Sequence, residues 1–210
     1  MLNMLKKIGF NSYTFSETIV VTEVLDNKWN CAPMGVKLEN DKLYFYVYEG
    51  TGTLEALRKN KHLTINVVYD VNVFTKCVFK TLDDEKLYEL PNNFPIPHIA
   101  TADAYVECKL IGLQEANGKF KAICEPINVV VKRHVPRTFN RVFPAIIEAL
   151  IYYTKIKPFK KMGLDKELND LVKKIMHCKY IVKHATTDKK YLEIIDNIIS
   201  KALDEIREQQ

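Results

Sequence analysis

The residues best suited to chemistry lie in one turn, Gly50, Thr51, Gly52 and Thr53, within the run YEGTGTLEALRK. Gly50 and Gly52 let a backbone approach a ligand closely, and Thr51 and Thr53 offer hydroxyls. The first amides of the helical pattern from Thr53 to Lys59 have no intrahelical partner, so they point outward as donors. A phosphate is the natural guest of such a turn. A plain strand-to-helix loop has much the same composition, and the full GxxxxGK[ST] pattern of a P-loop is absent.

A basic side chain would add a charge-assisted bond to a phosphate. Arg58, Lys59 and Lys61 are near in sequence, and Arg141 or Lys155 can arrive from the C-terminal part; Arg141 is the candidate chosen. For each of these the competing reading is a solvated surface charge. Upstream, Pro33, Met34, Gly35 and Val36 combine an apolar wall with free backbone polarity, although a bent strand with Gly35 at a bulge reads the same way. Asn66, in the strand-like LTINVVY, either faces solvent by simple alternation or turns inward to a ligand. His98, in a proline-rich loop, is either a group that approaches a substrate or an exposed loop histidine. No residue is singled out as catalytic.

Several other chemistries lack support. The five histidines show no HExxH or HxH spacing, and the five cysteines form no CxxC pair, so no metal site is expected. An odd cysteine count rules out a complete disulfide framework, and all five read as reduced, mostly buried thiols. There is no GxSxG elbow and no GxGxxG opening a βαβ unit.

The elements that must position these residues follow from periodicity. With 210 residues, 47% of them hydrophobic, the chain can bury a substantial core. Its net charge of +5 is spread among 26 acidic residues, which disfavours a nucleic-acid partner and suits an anionic cofactor. No signal-length or membrane-length apolar run occurs, so a cytoplasmic protein without membrane partners is expected. ETIVVTEV, a turn at Asp26-Asn27 and an extended run from Trp29 to Val36 predict a first hairpin. A second crosses Glu39-Asn40-Asp41, and Asn117-Gly118 marks a third between Ala104–Leu113 and Lys119–Lys132. Asp70 to Leu90 fits helix or strand equally, with a surface turn at Asp83 to Lys86. Pro91, Pro95 and Pro97 predict a loop without regular structure. The β-rich part therefore predicts an antiparallel barrel, whose closure hides its edges. Helical stripes follow at Arg137–Lys155, Leu164–Met176 and Lys189–Arg207, the first led by Val142, Ile146, Ala149, Leu150 and Tyr153. The expected organisation is α+β, a mainly β domain over 1–135 and a helical region over 136–210.

ETIVVTEV, NCAPMGV, YEGTGTLEALRKNKHLTINVVYDVNVF and NRVFPAIIEALIYYTK, in that order, resemble an uncharacterised, mostly archaeal protein family. Its members have a flavin-reductase-like split barrel and a helical C-terminal part. The resemblance implies an FMN-binding flavoprotein, usually a homodimer with the flavin near the subunit interface. It assigns Pro33, Met34, Gly35 and Val36 to the isoalloxazine ring, and Gly50, Thr51, Thr53 and Asn66 to the phosphate side. An oxidoreductase of flavin-reductase type is then expected, with reduced nicotinamide bound transiently over the flavin. In such a site the cofactor supplies the redox chemistry and the protein orients it. A non-catalytic flavin carrier with the same pocket is the alternative. A colourless interaction module using the basic helical tail is a third.

Overall fold

The computed structural model describes every residue except 26–27, 71–72, 75, 78–79, 81–84, 117–118, 134–137 and 208–210. Two units result, Met1–Phe139 and Asn140–Gln210.

In the first unit, β1 (Ser16–Leu25), β2 (Lys28–Glu39), β3 (Lys42–Tyr48), β4 (His62–Val67), β7 (Ala104–Ala116) and β8 (Lys119–Val131) form a closed antiparallel barrel in the order β1-β2-β3-β8-β7-β4. Closure comes from β4 returning to β1, with Ile19 opposite Asn66 and Thr22 opposite Leu63. Asn40 and Asp41 both adopt positive φ, 48° and 63°, the signature of a two-residue type I′ turn joining β2 to β3. The expected turns at Asp26-Asn27 and Asn117-Gly118 lie outside the described residues, but the strands flanking them pair as hairpins, Leu25 with Lys28 and Ala116 with Lys119. β2 is one continuous strand, where the sequence suggested two extended pieces.

Alternation sorts β1 and β2 into two cores. Inward residues such as Val20, Val36, Phe45, Val47, Ile65 and Val106 fill the barrel. Helix α2 (Gly52–Lys59) adds Leu54 and Leu57 to that cluster, and α1 (Leu2–Lys7) with its continuation adds Leu5, Ile8 and Phe10. Each such side chain, fully buried, contributes roughly 1.5–3 kcal/mol of transfer free energy. Outward residues Ile19, Val21 and Cys31 meet a second cluster formed by Val68, Val73, Cys77, Phe94, Ile96 and Ile99. The segment between β4 and β7 therefore covers the outside of the barrel.

Two sequence expectations change in this covering segment. Cys31 and Cys77 are joined as a disulfide, with their Cα atoms 5.4 Å apart, and only Cys108, Cys124 and Cys178 are free thiols. Nothing in the cysteine spacing could signal that pair, because it depends on the chain from Cys77 folding back over β2. The proline-rich loop, expected to lack regular structure, holds a two-residue strand β6 (His98–Ile99) paired with β5 (Tyr88–Glu89). The three prolines fall outside both strands, so no ladder bond is lost. Asp83 and Asp84 of the expected surface turn lie outside the described residues.

The second unit consists of α3 (Val142–Lys161), α4 (Asp165–Ala185) and α5 (Lys189–Arg207) around their own core. α4 runs nine residues past Met176, because its apolar stripe of Leu168, Leu171, Ile175 continues through Cys178, Val182 and Ala185 at spacings of three and four. α3 buries Val142, Ala145, Ala149 and Ile156, while Leu150, expected on the inner stripe, is 43% exposed. The helix expected from Arg137 begins at Val142 instead, residues 138–141 being non-helical, and it runs on past Lys155 to Lys161. Among the described residues no helix is long and apolar enough to cross a membrane.

Tyr88 shows how tightly the outer cluster is closed. Among the described residues its hydroxyl is buried without a hydrogen-bond partner, and burial pushes its pKa up to about 12. A raised folded-state value stabilises fully below the unfolded tyrosine value near 10, and that contribution disappears as pH rises from about 10 to about 12. Tyr88→Phe removes an unpaired buried hydroxyl, so it should leave stability at pH 7 unchanged or raise it by about 1 kcal/mol. Urea midpoints measured across pH 9–12 should fall less steeply for the variant than for the parent protein.

Candidate functional site

Three features meet at the turn before α2. The first is the turn itself. Gly50 has φ +73°, in the left-handed region, and a Cβ there would meet nothing within 4 Å, so the backbone faces open space. Thr51 is the N-cap of α2: its Oγ1 accepts from Leu54 N at 3.4 Å and donates to Tyr48 O at 2.7 Å. The turn is closed from outside by a forked pair in which Arg58 donates to both carboxylate oxygens of Glu49, at 2.7 and 2.9 Å. Arg58 thereby holds the Glu49 carboxyl below the usual range, and this sequence candidate for the phosphate is already committed.

The second feature is the edge of β2. From Lys28 to Val36 this strand pairs with β1, whereas its register with β3 covers only Lys37–Glu39. Among the described residues the other edge of Ala32–Val36 has no strand neighbour, and α2 packs against β1, β2 and β3 beside it. Val36 points into the barrel and Met34 packs against the same interior. Pro33 and Gly35 therefore alternate onto the outward face, where a Cβ on Gly35 would press on Phe15 at 3.4 Å. The predicted ring residues thus divide: Pro33 and Gly35 lie on the outward face, while Met34 and Val36 turn to the interior and the Met34 carbonyl accepts from Thr18 Oγ1 at 3.0 Å.

The third feature was not visible in the sequence. Asn30 on β2 donates from Nδ2 to Thr53 Oγ1 at 2.9 Å, and its Oδ1 accepts from Lys80 Nζ at 2.8 Å. Lys80 also donates to Cys31 O at 2.6 Å. Among the described residues neither partner of that ammonium is a carboxylate, and partial burial pulls its pKa below the ordinary lysine value. A lysine cation and the start of α2 are therefore linked through one amide side chain. Lys80 lay in the stretch that read equally as helix or strand, and the Cys31–Cys77 cross-link together with the apolar contacts of the covering segment brings it to β2.

Two predicted residues lie elsewhere. Asn66 is fully buried in the barrel wall: Nδ2 donates to Ile19 O at 3.0 Å and to Thr64 Oγ1 at 3.2 Å, and Oδ1 accepts from Ile99 N at 2.8 Å. It faces neither solvent nor the turn but ties the covering segment to the barrel, as Thr64 does by donating to Pro97 O at 2.6 Å. Arg141 belongs to the second unit, as the N-cap of α3. His98 is also buried, 3% exposed, stacked on Tyr105 at 3.9 Å with Nε2 3.1 Å from Glu89 Oε2. Burial, then the nearby Lys132 charge, lowers its pKa.

A six-stranded antiparallel barrel with one partly unpaired strand edge and a helical C-terminal part defines a flavin-reductase-like split-barrel protein. Residues 16–133 match the family described as "Protein of unknown function (DUF447) N-terminal domain", and the chain belongs to that family. An uncharacterized protein of Methanocaldococcus jannaschii, MJ1453, is 27% identical over 165 residues, spanning 74% of this chain and 84% of the relative. The crystal structure of the FMN-bound protein MM1853 from Methanosarcina mazei, of the same family, aligns with a TM-score of 0.55 at 25% identity, covering 92% of this chain and 99% of that one. The styrene monooxygenase flavin reductase of Pseudomonas putida S12 aligns with a TM-score of 0.50 at 10% identity, over 60% of this chain and 90% of that one, a likeness of fold alone.

The buried Asn66 amide gives a direct test of how the covering segment is held. Asn66→Ala leaves the Ile19 carbonyl and the Ile99 amide without their partner, at a cost on the order of 3 kcal/mol for two buried backbone groups. Equilibrium urea unfolding should show that loss.

Proposed function

We propose that this protein is an FMN-binding flavoprotein that holds the flavin phosphate at the Gly50–Thr53 turn and the ring along the free edge of β2. The observation that carries the reading is the cationic corner built by Lys80, Asn30 and the start of α2, which calls for an anion, in a chain that aligns end to end with an FMN-bound member of its family. Thr53 and the outward amides of the turn direct the phosphate, and Lys80 supplies the charge. Thr51 acts by holding the turn in shape. Pro33 and Gly35 give an apolar surface, and the backbone of these two residues on the free edge faces the polar rim of the ring. When bound, FMN supplies a two-electron carrier.

The residues present fit the group. A dinegative phosphate satisfies a cation whose partners among the described residues are neutral, and the absent Cβ at Gly50 leaves room where a ligand must approach. The reading extends to a flavin-reductase-like oxidoreductase with reduced nicotinamide as electron donor, in a homodimer with the flavin near the subunit interface.

The purified protein should be yellow, with flavin absorbance released by denaturation. Lys80→Met should weaken FMN about tenfold to a hundredfold, the range for one hydrogen bond to a charged group, while affinity for riboflavin, which lacks the phosphate, changes little. An equal loss for both flavins would move the phosphate away from Lys80. Anaerobic mixing with NADH or NADPH should bleach the bound flavin on a turnover timescale; a stable flavin spectrum would instead assign a carrier.

A further inference from the structure

The Cys31–Cys77 disulfide stands directly beside the corner assigned above to the phosphate. Cys31 supplies the carbonyl that receives Lys80 Nζ, and its neighbour Asn30 supplies the amide that joins Lys80 to Thr53. Cys77, three residues before Lys80, is bonded to that same Cys31. The cross-link spans 46 residues of sequence, so it fixes a distant segment on β2 at the point where the ammonium must dock. Without it, Lys80 would be delivered only by the apolar contacts of residues such as Val73 and by its own two hydrogen bonds. A tether of this kind raises the effective concentration of the cation at the corner. Both sulfurs are fully buried in the outer cluster, so reduction proceeds through opening of the covering segment and is slow.

We infer that cofactor retention is coupled to thiol redox state: the intact Cys31–Cys77 bond positions Lys80 for the flavin phosphate, and its reduction releases that cation and weakens FMN selectively. The inference rests on the phosphate placement proposed above. The chemistry is a thiol–disulfide exchange, in which a dithiol reductant gives two electrons and two protons, the S–S bond breaks, two thiols form and the dithiol closes to its own disulfide. Lys80 is a binding residue, and the cystine is a positioning pair acting through it.

The test uses the full chain in two states, oxidised and fully reduced with excess dithiothreitol, with thiol counts confirming two fewer free thiols in the first. FMN and riboflavin affinities are read by flavin fluorescence quenching. Reduction should weaken FMN about tenfold or more and leave riboflavin within about twofold, because only the phosphate contact is lost. Cys77→Ser should match the reduced parent in both states, and retained riboflavin binding shows that it has folded. Lys80→Met should bind FMN weakly in both states, with no further response to reductant. FMN bound equally well with and without the disulfide overturns the coupling while leaving the flavin reading intact. Failure to form the disulfide under oxidant also overturns it. If neither state binds either flavin, the proposed function itself fails and takes the coupling with it.

Discussion

Everything in the first unit depends on the return of β4 to β1. That pairing closes the ring of strands, so no long edge of the barrel is left to be shielded. Closure at six strands carries a geometric consequence for β2, the longest strand beside β1. It matches β1 for nine residues but meets β3 for only three. The backbone between Trp29 and Val36 is thus held on one side and open on the other. The chain answers by placing α2 directly after β3, with Leu54 and Leu57 in the barrel interior and the positive end of the helix at the rim. The site is a by-product of a strand that is longer than its neighbour.

The electrostatics of that rim are unusual for a structural corner. Several charges elsewhere on the barrel are matched in pairs, Lys42 with Glu125, Lys121 with Glu39, Lys132 with Glu89. Such pairs add little to stability at a surface. Among the described residues the Lys80 ammonium is held by a carbonyl and an amide oxygen, two neutral acceptors, and the same amide side chain donates to Thr53 of α2. A cation held by neutral groups keeps more of its charge available to a ligand than one already matched to a carboxylate.

The sequence disclosed much of this and withheld a definite part. ETIVVTEV read as a strand because β-branched residues dominate it, and β1 spans it. Glu39-Asn40-Asp41 read as a turn because two of its residues tolerate positive φ, which they adopt. The GTGT turn was recognisable because glycines and a cap threonine have local roles. Asn66 was legible only as a polar residue in a strand: whether its amide meets solvent, ligand or backbone depends on Ile19 and Ile99, distant in sequence. Lys80 was illegible for a stronger reason. Nothing near it in the chain fixes its place, which is set by a cross-link to Cys31 and by an amide fifty residues upstream. Similarly, α4 outran its predicted end because a cysteine and an alanine continue an apolar stripe in which neither stands out.

The N-terminal segment carries one more consequence. Gly9 adopts φ +107°, and a Cβ there would collide with the Thr138 hydroxyl; Thr138 N donates to Ile8 O at 3.1 Å, and Glu17 N donates to Phe139 O at 2.6 Å. The polypeptide enters and leaves this unit at a single stitched point. Phe139, which leads out of this unit, is bonded to the backbone of Glu17, so the exit of the chain is anchored to the first strand of the barrel itself.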